Sequence, residues 1–143
     1  MDPITAIGLL ASLANLIHAS KSLLEIVKSL KDGDRELLEL FDDVSVFEEA
    51  LKGFDRVLRS RQTKHNISTA VISRALEEAS ATIQELESKL LHMSKSDVSA
   101  VRRMKWVQHK SSLKKLHERV KEQSIMLQSF LSLAHAYVPS HIK

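Results

Sequence analysis

The sequence predicts an all-α fold, an antiparallel four-helix bundle, and three observations carry that expectation. Apolar residues recur at alternating steps of three and four over most of the chain, and no segment alternates with period two for long. The 143 residues include 3 Gly and 2 Pro, too few tight-turn sites for a β-rich or loop-rich chain. Aromatics are 4% of residues while Leu, Ala, Glu, Lys and Ser dominate, which is a helix-forming composition. A chain of this length makes one domain.

The first helix is expected over 3–30. Asp2 can cap it and Pro3 can open it, since the missing N–H at the first helical position costs nothing. From Pro3 to Ser20 there is no formal charge, and only Thr5, Ser12, Asn15, His18 and Ser20 are polar. Lys21 begins a more amphipathic continuation through Leu23, Leu24, Ile26, Val27 and Leu30, and Gly33 supplies the stop.

The second helix begins near Asp34, with Leu37, Phe41, Val44, Phe47, Leu51, Phe54 and Leu58 on its apolar stripe. Gly53 is placed to bend it. A polar stretch over 60–68 separates it from the third helix, whose stripe runs Ile72, Leu76, Ala79, Ile83, Leu86, Leu90 and Met93. After a second polar gap at 94–96, the last third reads as one long helix or as a short helix followed by a long one. Val98, Val101, Met104 and Trp106 would form the short segment; Leu113, Leu116, Val120, Leu127, Phe130 or Leu131, Ala134 and Val138 the main stripe, with Pro139 as the stop. Two of the three gaps are short, so successive helices should run antiparallel. The bundle domain is taken as 1–138, and 139–143 as a tail or the start of a linker to a downstream domain.

Several chemistries are excluded by residue type. With no Cys there is no disulfide scaffold, thiolate zinc site or cysteine nucleophile, and the composition fits a reducing cytosol. The seven His include no pair at i,i+4, and neither a metalloprotease nor a di-iron helix pattern occurs. Three isolated Gly cannot build a phosphate loop. Glu77, Glu78, Glu85 and Glu87 lie off the apolar stripe and read as solvated carboxylates. No catalytic residue, metal or cofactor is expected. Nucleic acid is not expected either: there is a basic stretch, but the formal net charge is +3 and no reader motif or stacking platform accompanies it.

The leading run is the most informative segment. A helix apolar nearly all round belongs in a protein core or a bilayer. Residues 3–20 would span about 27 Å, marginal for crossing a hydrocarbon layer about 30 Å thick and sufficient for insertion. Small residues on one side, Gly8, Ser12, Asn15 and Ala19, allow close helix approach in lipid. The simpler alternative makes this run the central helix of the bundle, surrounded by the other three, with His18 a satisfied core histidine. Trp106 reads as a packing anchor.

Charge is uneven along the chain. Eight acidic residues between Asp32 and Glu49 stand against a single Arg35, a formal −7. Eight basic residues between Arg102 and Lys121 stand against a single Glu118, a formal +7. The two stretches either steer the second helix beside the fourth or leave the basic one free to meet anionic lipid.

The opening Met1-Asp2-Pro3-Ile4, the uncharged run ending near Ala19, and Arg103-Met104-Lys105-Trp106 followed by Lys110, Leu113, Leu116, Val120 and Leu127 together resemble a known family. They are similar to the HeLo-like N-terminal domains of fungal STAND proteins, NLR-like receptors with a NACHT-type domain after the bundle. The resemblance covers Met1 to about Ala134. Many members have Pro directly after the Trp, where this chain has Val107. The resemblance implies a signalling domain, cell-death-inducing by oligomerisation, cytoplasmic at rest and directed to the plasma membrane on activation, in programmed cell death, heterokaryon incompatibility and fungal innate immunity. On that reading Ile4, Ile7, Leu9, Leu10, Leu13, Leu16 and Ile17 insert, Gly8 and Ser12 permit close helix approach, and Arg102, Arg103, Lys105, Lys110 and Lys114 meet anionic lipid. Expected partners are a second copy of the chain, anionic membrane lipids and a downstream NACHT-type domain. The rival expectation is a helical adaptor or oligomerisation module that binds proteins and never enters lipid.

Overall fold

The structure, a computed structural model, describes residues 3–30, 35–60, 69–94 and 99–137, and side chains for these except 3–6, 99–103 and 134–137. Four helices make it up: α1 (Pro3–Leu30), α2 (Arg35–Arg59), α3 (Thr69–Ser94) and α4 (Ser99–Tyr137). The expected signals at Asp2, Gly33, Val98 and Pro139, the two polar gaps beyond their helix ends, and the tail at 139–143 lie outside the described residues, as does the side chain of Val101.

α1 packs on α2 and α3, and α4 packs on the same two helices, while the pairs α1/α4 and α2/α3 make no close backbone approach. The four helices therefore sit at the corners of a square, with α1 opposite α4. This corrects one expectation: α1 is not surrounded by the other three. Direction follows from the pairings. Glu36–Lys110, Asp43–His117 and Phe54–Phe130 advance together, so α2 and α4 are parallel. His92 stands beside His109 and Thr82 beside Gln123, so α3 and α4 are antiparallel. The short connection between Leu30 and Arg35 makes α1 and α2 antiparallel as well. Successive helices do alternate in direction, but α2 and α3 do so across a diagonal.

The core follows the apolar periods. Every residue of the α3 stripe, from Ile72 to Met93, is buried. In α2 the stripe drifts: Leu40 and Val57 are buried, whereas Phe41 and Leu58 only lean against the core. In α4, Leu113, Leu116, Val120 and Leu127 are buried, Trp106, Phe130 and Leu131 are half-buried, and Met104 is exposed. Phe47, Leu13, Leu51, Ile83 and Leu86 are fully enclosed, each contributing about 1.5–3 kcal/mol through its removal from water. Gly53 sits where α4 comes close; a Cβ there would lie 3.2 Å from Leu131 Cδ1.

α4 is one unbroken helix of 39 residues. No proline follows Trp106 to remove a backbone donor, so nothing breaks the ladder at Val107. With Asp43 level with His117, 74 residues on, the stretch 99–108 precedes the level of Arg35 and projects past the start of α2. Among the described residues each helix also buries one polar residue: Ser20, Glu48, Thr82 and Ser124. Their polar atoms are satisfied locally, Ser20 Oγ donating to the Leu16 carbonyl and Thr82 Oγ1 to that of Glu78. Glu48 accepts from Lys52 Nζ at 2.7 Å, and Gln123 Nε2 donates to Thr82 Oγ1 at 3.0 Å. These groups avoid most of the desolvation cost that unpaired ones would carry; Gln123 Oε1, buried with no hydrogen-bond partner among the described residues, is the exception.

Candidate functional site

Two surfaces hold most of the described residues singled out by sequence. The first is the outer face of α1. Leu9, Leu13 and Leu16 point into the core, Leu10 and Ile17 are half-buried at its edge, and Ile7 is 68% exposed. The side chain of Ile4 lies outside the described residues. Gly8, Ala11, Ser12, Ala14, Asn15 and His18 are all exposed, so His18 is not a core histidine. A Cβ added at Gly8 would meet nothing within 4 Å; no packing inside this bundle requires a glycine there.

The segment Ile7–Leu30 is, by length and composition alone, apolar enough to cross a membrane, yet only 28% of its most apolar window is buried. The charged, amphipathic helices α2 and α3 bury nine residues each out of 25 and 26. α1 thus has the composition of an enclosed helix and the exposure of a surface one. The core takes Leu9, Leu13, Leu16, Leu23, Val27 and Leu30 from α1, with Ile17, Ala19, Leu24 and Ile26 leaning on it. This leaves the absence of charge at the exposed positions between Ile7 and His18 without a packing cause.

The second surface is the seam between α2 and α4, where the acidic and basic stretches meet. Lys110 Nζ is 3.4 Å from Glu36 Oε1, and His117 Nε2 is 2.5 Å from Asp43 Oδ2, this pair half-buried. Around them a groove of about 280 Å³ is floored by Leu40, Leu113 and Trp106 and walled by Glu36 and Glu39 on one side and Lys110, Lys114 and Lys121 on the other. Lys105 is engaged elsewhere: its Nζ donates to the His92 carbonyl at 3.2 Å, satisfying one of the open carbonyls in the last turn of α3. Of the five basic residues singled out by sequence, Lys105 and Lys110 therefore have partners within the chain, and Lys114 lines the groove. The side chains of Arg102 and Arg103 lie outside the described residues.

Sequence reasoning missed two features. A groove of mixed character runs between α2 and α4 beside Gly53, with Val46, Ala50, Val57 and Leu131 as its apolar lining and Glu49, Arg56, Ser60 and Gln128 as its polar lining; its only signal was a glycine inside an otherwise helix-forming stretch. The His92 and His109 rings meet edge to face, 5.7 Å apart between centroids, a contact no local spacing announces. Among the described residues no group of three His, Asp or Glu is placed to hold a metal ion.

Neither a family model, nor a curated protein, nor a solved structure matches this chain.

Proposed function

We propose that the chain is a helical signalling module whose first helix leaves the bundle and enters a membrane, as the resemblance to HeLo-like domains implies. One observation carries this reading: α1 keeps a charge-free outer face from Ile7 to His18 although that face is turned to solvent. In water such a face gains nothing from lacking charge, whereas in a bilayer each Asp, Lys or Arg at the helix centre would cost about 2.5–3.5 kcal/mol. At rest the helix is held by its buried leucines; released, it exchanges that core for hydrocarbon. Clustering of several copies would raise the local number of such helices and strengthen weak insertion through effective concentration. The chain would act by oligomerising, without catalysis or cofactor, at the plasma membrane.

The test is dye release from anionic liposomes by the full chain and by a chain carrying Ala11→Asp with Asn15→Asp. Both positions are exposed, so the bundle retains its fold, as helical circular dichroism would verify. The reading expects leakage from the unmodified chain and its loss in the double variant. Equal leakage by both overturns it. Removing residues 2–20 is a poorer test, because Leu9, Leu13 and Leu16 leave the core with them.

The adaptor reading draws on a different observation, the groove lined by Val46, Ala50, Val57 and Leu131. It predicts a partner whose binding is abolished by Val46→Asp and unaffected by the Asp substitutions on α1.

A further inference from the structure

We propose that the acidic edge of α2 masks a lipid-binding edge of α4, so that an anionic bilayer surface competes with Glu36, Glu39 and Asp43 for the same basic residues. This rests on the membrane reading and adds its regulation. Lys110, Lys114, His117 and Lys121 are spaced by four, three and four residues and fall on one stripe of α4. Glu36, Glu39 and Asp43, spaced by three and four, form the facing stripe of α2. Because α2 and α4 are parallel, the stripes face each other: Glu36 meets Lys110 at 3.4 Å, and Asp43 meets His117 one heptad later. Glu39, between them, pairs with Arg35 on its own helix at 3.4 Å and lines the same groove. Lys114 and Lys121 share the same groove wall.

An edge of three lysines, with Glu118 the one carboxylate α4 adds to the same groove, beside a half-buried Trp106 has the charge to attract anionic headgroups, at several-fold in affinity per cation. In the closed bundle it faces carboxylates instead, and their like charge repels the same lipid. Placement adds a second constraint. α1 and α4 stand at diagonal corners, so the closed bundle cannot rest the uncharged face of α1 and the basic edge of α4 on one flat surface. Parting the α2–α4 seam removes the masking carboxylates from the basic edge.

The experiment is co-sedimentation of the 143-residue chain with phosphatidylserine-containing vesicles at low ionic strength, with phosphatidylcholine vesicles as the neutral reference. The masked-edge variant is Glu36→Gln, Glu39→Gln, Asp43→Asn. A charge-matched control, Glu25→Gln, Glu77→Gln, Glu85→Gln, changes exposed carboxylates on α1 and α3 by the same net amount. The proposal expects about a tenfold or greater gain in anionic-vesicle binding for the first variant and less than about threefold for the control. Equal gains show a net-charge effect and overturn it. Binding by the unmodified chain with no gain in the first variant overturns masking and leaves the membrane reading standing. Failure of all three chains to bind overturns both. A first variant that gains affinity for duplex DNA and not for vesicles overturns lipid as the partner.

Discussion

His117 Nε2 on α4 lies 2.5 Å from Asp43 Oδ2 on α2, joining residues 74 positions apart. The contact fixes the parallel register of two helices that share no loop. Every pairing along the seam, from Glu36–Lys110 at one end to Phe54–Phe130 at the other, keeps nearly the same offset. Replacing His117 by Ala removes a half-buried hydrogen bond to a carboxylate and is expected to lower stability by about 1–2 kcal/mol. Lys121→Ala, which loses a solvent-exposed ion pair to Glu118 at 3.5 Å, should change it by less than about 0.5 kcal/mol. Urea unfolding of the two variants checks the contrast; equal effects would remove the seam from the account of register.

Phe47 is completely buried at the centre of α2. Phe47→Ala should cost about 3–5 kcal/mol, the sum of lost transfer energy and the cavity left behind. The exposed Ile7, on the uncharged face, should tolerate Ala within about 0.5 kcal/mol. Thermal unfolding distinguishes them, and a large loss at Ile7 would mean that the outer face of α1 is covered in the folded chain.

The two described helix-interior glycines should behave differently. Gly8→Ala meets no neighbour and should stabilise the chain by about 0.5–1 kcal/mol through helix propensity alone. At Gly53 the new methyl would press on Leu131 Cδ1 at 3.2 Å, so that gain should be reduced or reversed unless Leu131 turns aside. Melting temperatures of the two variants read the difference.

Lys52 holds its proton above the ordinary value of 10.5, chiefly because its ammonium donates to the Glu48 carboxylate, with the charges of Glu48 and Glu49 adding to it. A folded value raised above the unfolded one stabilises the fold below about pH 10.5, and that contribution is lost as pH rises through the folded value. Lys52→Met should therefore be less stable than the unmodified chain at neutral pH, and the gap should close on strong alkalinisation. A gap that stays constant to the alkaline limit would contradict the assignment.

The approximate helix limits and most of the apolar stripes were legible because they depend on local chemistry. The limits 3–30 and the stripe Ile72 to Met93 follow from period and composition, and Val107 in place of a proline accounts for an unbroken α4. The corner arrangement was not legible, since nothing local distinguishes a diagonal connection from an adjacent one. The outward face of α1 was hidden for a different reason: on a helix apolar nearly all round, no stripe announces which side meets the core. His18 and Gly8 were consequently misplaced or left open. The charge stretches were visible, but their pairing across Asp43–His117 depends on a parallel register between distant helices.

The most direct measurement uses the absence of cysteine. Ser12→Cys places a single label on the exposed face of α1, and a polarity-sensitive dye there is read with vesicles whose lipids carry a quencher near the bilayer centre. The account predicts that the dye shifts to an apolar environment and is quenched when the protein is activated by clustering. A dye that stays in water on vesicle-bound, clustered protein would contradict it.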